Sequence, residues 1–154
     1  MVKAVLAAMV VRLIFGQSHA DIIMVLVLYS GFGVILGHNF PFYLGFKGGK
    51  GIAASSGVIV ALGYWPLILL GFCTFMIVTI ISRYVSLGSI LVVISFLIQA
   101  IVFNHMGLLG VSGNYAVEFD ILAACFTAMA IWRHRANIKR LLSGTENKFG
   151  QKVK

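Results

Sequence analysis

Apolar residues gather into five long blocks, roughly Val2–Phe15, Asp21–Leu36, Ile52–Ser82, Ser86–Phe103 and Phe119–Trp132. A membrane-crossing helix takes about 20 residues. The third block is too long for one crossing and contains Gly63-Tyr64-Trp65-Pro66. A proline preceded by glycine and two interfacial aromatics reads as a helix that ends and restarts at a membrane surface. Topology supports the cut. Basic residues near spans favour the cytoplasm, so Lys47 and Lys50 mark one inner loop and the basic tail must also lie inside. Splitting at Gly63–Pro66 places both on one side, moves Arg83 to that side, and leaves Asp21, Glu118 and Asp120 on the other.

The expected fold is therefore an all-α integral membrane protein of about six transmembrane or half-transmembrane helices, with both termini inside. Residues 1–154 form one polytopic domain, with 133–154 as a basic cytoplasmic tail within it. The third helix, near Gly51–Gly63, is short and opens with Ala53, Ala54, Ser55, Ser56 and Gly57; small residues let helix backbones approach closely in lipid, so it should pack centrally. Arg12, near an outer end, is expected to snorkel to the surface. His105 and Ser112-Gly113-Asn114, in the outer loop Asn104–Val117, read as turn chemistry.

Composition agrees with lipid as the solvent. The chain is 60% hydrophobic and 10% charged, against about 25% charged in soluble domains. Its net charge of +8 is concentrated: seven of the twelve Lys and Arg lie between Arg133 and Lys154. A lipid-seeking chain with this distribution argues for anionic headgroups and against nucleic acid as the partner. Cys73 and Cys125 lie in apolar runs without CxxC or histidine at ligand spacing, and read as helix-packing residues with neither a disulfide nor a metal. The amino-terminal stretch loosely resembles a signal peptide, but reads better as a retained helix.

Candidate chemistry sits in two polar islands. Gly45-Phe46-Lys47-Gly48-Gly49-Lys50-Gly51 has the ingredients of an anion nest at a helix N-terminus. On its own, a pair of lysines among glycines beside a membrane is more often a topogenic loop than a ligand site. A nucleotide-binding P-loop is excluded, because Leu44 and Gly51 occupy the positions of its first glycine and its hydroxyl. The His-x-x-x-x-Asp acyltransferase pattern also fails: Tyr43 follows His38, and Lys139 follows His134, at that spacing. In the tail, a short helix ending near Leu142 at Gly144 would place His134 and Asn137 on one face, where imidazole and amide could donate hydrogen bonds to an oxyanion or phosphate. Glu146 is the one inner-side carboxylate, and reads as a tie to a basic group.

Together these islands resemble the bacterial acyl-phosphate–glycerol-3-phosphate acyltransferases of the PlsY type. The matching pieces are Gly37–Pro41 with Phe46–Gly51, then Ser82–Leu87, then His134–Leu141 with Gly144–Lys148, in the family's order. The resemblance implies transfer of a fatty acyl group from acyl phosphate to the 1-hydroxyl of glycerol 3-phosphate, giving lysophosphatidic acid and phosphate. It implies no cofactor, and a location in the bacterial inner membrane with the active loops cytoplasmic. Carried over by position, it places His38, Lys47, Gly48, Gly49, Lys50, Gly51 and Arg140 among the substrate-binding residues. His134 and Asn137 become the activity-critical pair and Glu146 a structural residue. It also implies an earlier helix and a Ser-Gly-Asn-x-Gly-(Ala/Ser)-Thr-Asn loop. The chain begins after them, so an amino-terminally truncated member, active or inactive, is the expectation. A phosphate-binding transporter subunit is the rival class.

Overall fold

The computed structural model describes residues 1–151, which contain helices and no strand. Seven α-helices follow in order: α1 Val2–Phe15, α2 Ile23–Asn39, α3 Ile52–Leu62, α4 Trp65–Ser82, α5 Val85–His105, α6 Ala116–Arg133 and α7 Arg135–Leu142. Short 3-10 turns occupy Phe42–Leu44 and Gly113–Tyr115. Four segments are long and apolar enough to cross a membrane: Ile23–Leu44, Trp65–Ser82, Val85–His105 and Gly113–Arg133. Helices α1 and α3 are the short apolar pair foreseen from the sequence, and α7 is the short tail helix. The chain is a multi-pass membrane protein.

The long apolar block breaks where expected. Helix α3 stops at Leu62, Gly63 takes a left-handed φ of 75°, and α4 restarts at Trp65 with proline in its first turn. Proline there loses nothing, since a first-turn N–H has no intrahelical acceptor. The polar ends sort as parity requires. Contacts gather the glycine loop, the Arg83 turn and the tail at one end of the bundle. At the other end Tyr29 donates to Glu118 at 2.7 Å, and the Ser112 amide donates to the Asp21 carbonyl at 3.0 Å.

Helix α3 is packed centrally, as its small residues suggested. Ala54, Ser55, Gly57, Val58, Ile59 and Leu62 are buried against α1, α2 and α4. A Cβ on Gly31 of α2 would run into the Val58 side chain, so that glycine sets how closely α2 and α3 approach. The remaining core is aromatic and aliphatic: Phe96 and Phe126 pack at 5.0 Å between ring centroids, with Phe119, Leu28 and Val93 buried beside them. Apolar side chains such as Ile80, Ile81 and Phe72 point outward, which suits a helix surface solvated by lipid.

Three expectations are corrected. Arg12 does not snorkel: its guanidinium donates to the carbonyls of Ala61 (3.2 Å) and Leu62 (2.8 Å), the open C-terminal end of α3. Those acceptors have no intrahelical donor, and a cation also suits the negative end of the helix dipole. Arg12→Met is accordingly expected to destabilise the protein by about 1–3 kcal/mol, read as a lowered Tm in detergent; an unchanged Tm would contradict the capping role. His105 is more than a turn residue, since its Nε2 meets Asp120 at 2.8 Å while Asn104 donates to the other Asp120 oxygen at 2.8 Å. Cys125 faces outward from α6 and does not pack between helices.

Candidate functional site

The site begins at the last turn of α2, which carries His38 and Asn39. Pro41 cannot continue the helix and starts the 3-10 turn Phe42–Leu44. Gly45 (φ 59°) and Phe46 (φ 61°) then take left-handed conformations, and the chain doubles back under α2. A left-handed φ is uncommon for a phenylalanine; here the Phe46 amide donates to the Pro41 carbonyl at 3.0 Å, which ties the loop closed. Gly48 sits so close to the backbone oxygens of His38 and Asn39 that any Cβ would overlap them. A Cβ on Gly49 would meet the His38 imidazole at Nε2. Gly51, at φ 82°, is the N-cap of α3. These glycines are thus explained by space as well as by backbone conformation. Lys47 and Lys50 are exposed, and His38 is half-buried against the loop.

The second half of the site comes from the junction of α6 and α7. Arg133, the last residue of α6, reaches across to the loop: Nη2 donates to the Gly48 carbonyl (2.7 Å) and the Gly49 carbonyl (2.7 Å), and Nε to Gly49 (3.1 Å). Its guanidinium carbon lies 5.4 Å from the centre of the Phe40 ring, which packs in turn on Trp132. The charge at this helix end, read from the sequence only as part of the basic tail, therefore binds the two polar islands together. A Trp-Arg pair closing an apolar block, with Phe40-Pro41 in the opposite loop, was the available signal.

His134 follows directly. It is 2% exposed and caps α6, its backbone amide donating to the Ile131 carbonyl at 2.9 Å. Nδ1 lies 2.8 Å from the Ala130 carbonyl. A carbonyl only accepts, so Nδ1 carries a proton and donates it, and in the neutral ring Nε2 is a bare acceptor. Burial pushes the imidazole below its ordinary value of 6.5; the Ala130 hydrogen bond opposes this, and the Lys50 charge adds to it.

Asn137 is 3% exposed, one turn along α7. Its Nδ2 donates to Glu146 Oε1 at 2.8 Å, while Oδ1 is buried without a protein partner among the described residues. An ionised carboxylate cannot donate, so the amide must present nitrogen to Glu146 and keep oxygen free. The expectation that imidazole and amide are both donors is thus reversed: neutral His134 and Asn137 each offer an acceptor. Glu146 also accepts from Arg140 Nε at 2.7 Å, and its side chain is only 8% exposed. Burial alone would raise this carboxyl, but the hydrogen bonds from Asn137 and Arg140 outweigh it and hold it below its ordinary range. Glu146 reaches back because Gly144 (φ 68°) turns the chain, with the Thr145 amide on the Arg140 carbonyl at 2.9 Å. Arg140, expected to bind substrate, is thus engaged through Nε within the tail. The Ser82–Leu87 segment joins the same end, where the Phe149 amide donates to the Arg83 carbonyl at 2.7 Å.

Fold and site together define a multi-pass α-helical membrane protein whose basic glycine loop is stapled beside a buried histidine. A family model described as glycerol-3-phosphate acyltransferase matches residues 1–144, and the chain belongs to that family. A glycerol-3-phosphate acyltransferase of Shouchella clausii (strain KSM-K16) is 40% identical over 126 residues, covering 80% of this chain and 57% of the relative. One from Thermoanaerobacter sp. (strain X514) is 37% identical over 153 residues, covering 98% of this chain and 67% of the relative. The chain therefore spans roughly three-fifths of the length of such relatives. Among solved structures, PlsY, an integral membrane glycerol 3-phosphate acyltransferase, is similar in its lysophosphatidic acid form, with a TM-score of 0.74 and 34% identity over 96% of this chain and 69% of that one. Its glycerol 3-phosphate form gives 0.72 and 36%, over 90% of this chain and 63% of that one. The family resemblance read from the sequence holds.

Proposed function

We propose that this chain transfers a fatty acyl group from acyl phosphate to the 1-hydroxyl of glycerol 3-phosphate, at the cytoplasmic face of a bacterial inner membrane. The observation that carries this reading is the loop Lys47–Gly51 held by Arg133 against the His134–Asn137 helix. The loop amides with Lys47 and Lys50 hold a phosphate; His38 lines the same loop. Neutral His134, through Nε2, and Asn137, through Oδ1, accept hydrogen bonds from the glycerol hydroxyls and fix their direction. Glu146 and Arg140 keep Asn137 in that orientation.

The hydroxyl oxygen attacks the acyl carbon and the bond from that carbon to the phosphate oxygen breaks. Inorganic phosphate leaves, and the hydroxyl proton ends on it. A mixed anhydride already carries a good leaving group, so orientation and phosphate binding supply most of what the protein must add. A conventional carboxylate–imidazole base is not needed. The small share of acidic residues agrees with this.

Purified protein in detergent, given acyl phosphate and labelled glycerol 3-phosphate, is expected to form lysophosphatidic acid and release phosphate. Uptake of a phosphorylated solute into vesicles without any acylated product would instead place the chain with transporters. The reading also sets a pH dependence. The histidine pKa is lowered, so the neutral ring persists below pH 6.5 and its acceptor is lost only as pH falls through that lowered value. Turnover should accordingly hold at pH 6.5 and fall on an acid limb beneath it. A limb above pH 7 that vanishes in His134→Gln would contradict this.

A further inference from the structure

The loop backbone has an orientation that its own hydrogen bonds do not supply. The amides of Gly48, Gly49, Lys50 and Gly51 donate to no protein acceptor among the described residues. What holds the segment is a side chain from another helix. Arg133 uses three N–H donations on two consecutive carbonyls, those of Gly48 and Gly49. In a trans peptide the C=O of one residue and the N–H of the next point in opposite directions, and the described residues contain no cis bond. With both carbonyls turned to the guanidinium, the Gly49 and Lys50 amides are turned to the other side, where they stand free in succession. Two successive free amides, the second belonging to a lysine, are donors available to separate oxygens of a tetrahedral oxyanion.

We propose that Arg133 is a positioning residue, which sets the amides of Gly49 and Lys50 to receive a phosphate monoester while taking no part in binding it directly. The proposal rests on the reading that this loop holds the phosphate of glycerol 3-phosphate. The donor geometry favours it over a direct charge contact: the nitrogens Nε and Nη2 are spent on carbonyls, and the Phe40 ring lies 5.4 Å from the guanidinium carbon. A planar fork fixes its donors in set directions on the two carbonyls, whereas a lysine ammonium is a compact charge on a flexible stem that imposes no such direction. Arg133 is also covalently next to His134, so the same helix end that presents the imidazole registers the loop.

The experiment compares Arg133→Lys and Arg133→Gln with the unsubstituted chain, purified in detergent. Glycerol 3-phosphate affinity is measured by calorimetry, and the carbonyl carbons of ¹³C-labelled Gly48 and Gly49 by NMR. Positioning predicts that both variants shift those carbonyl resonances and that both lose affinity by about 10- to 100-fold, the conservative lysine failing to rescue. If lysine restores affinity while glutamine does not, Arg133 acts as a simple charge and the proposal fails. Unchanged carbonyl resonances in both variants also overturn it. Failure of the unsubstituted chain to bind glycerol 3-phosphate overturns the functional reading instead, and the carbonyl shifts then report the staple separately. Should the glutamine variant unfold, the lysine variant, which keeps charge and stem packing, carries the comparison through.

Discussion

Replacing His134 with alanine is expected to lower kcat by about 100-fold, the loss that misdirecting a reacting group typically causes. KM for glycerol 3-phosphate should change less than kcat, because the loop proposed to hold the phosphate is untouched. The physical reason lies in the ring's orientation. Nδ1 is committed to the Ala130 carbonyl, so Nε2 points in one direction only and is a bare acceptor in the neutral ring. His134→Gln offers an instructive second variant, since its amide cannot both donate to Ala130 and present an aromatic nitrogen at the same place. Steady-state assays with both substrates varied decide the matter. Near-unchanged kcat in both variants would remove His134 from the mechanism.

The second large effect is expected at Gly48. Alanine there would drive its Cβ into the backbone oxygens of His38 and Asn39, main-chain atoms in the last turn of α2 rather than the far end of a flexible side chain. The loop must shift instead, and the carbonyl that receives Arg133 shifts with it. A displacement on the order of 1 Å in a site whose work is orientation can cost about 100-fold. Gly48→Ala should therefore lose most of kcat/KM, with a Tm close to that of the unsubstituted protein because the loop lies outside the packed core. Gly37→Ala is the matching control, since nothing lies near a Cβ at that position. Equal losses at Gly37 and Gly48 would show that steric fit in the loop is not the cause.

The helical frame was readable because each crossing carries its own punctuation. Gly63 and Pro66 cut the long apolar block, and charge parity then assigned the polar segments to their ends; the structure keeps both results. The tail turn was equally plain from Gly144. Partner choice was not. Arg12 and Arg133 each look like a charge at a helix end, and hydropathy cannot tell a side chain reaching for water from one reaching for a neighbouring carbonyl. Their acceptors lie about fifty and eighty-five residues away in sequence. Asn137 shows the same limit at shorter range. Whether its amide faces the site as donor or acceptor depends on Glu146, which returns to it through a turn nine residues later. Motif spacing identifies which groups are present; the fold decides which atom of each is offered.

The unequal helix lengths have a consequence for depth. At about 1.5 Å per residue, α3 with its 11 residues covers roughly 17 Å, whereas α5 with 21 covers roughly 32 Å, about the thickness of a hydrocarbon core. Both helices have one end on the far side of the bundle, α3 at Gly63 and α5 near His105, where Tyr64 stacks edge-on against Phe103. The glycine loop at the other end of α3 is then recessed by several ångströms below the plane that α5 reaches. An ester or anhydride carbonyl attached to a lipid chain resides at about that level of a bilayer. In the proposed reaction a water-soluble phosphate would descend to meet it, and the lipid chain would not have to leave its leaflet.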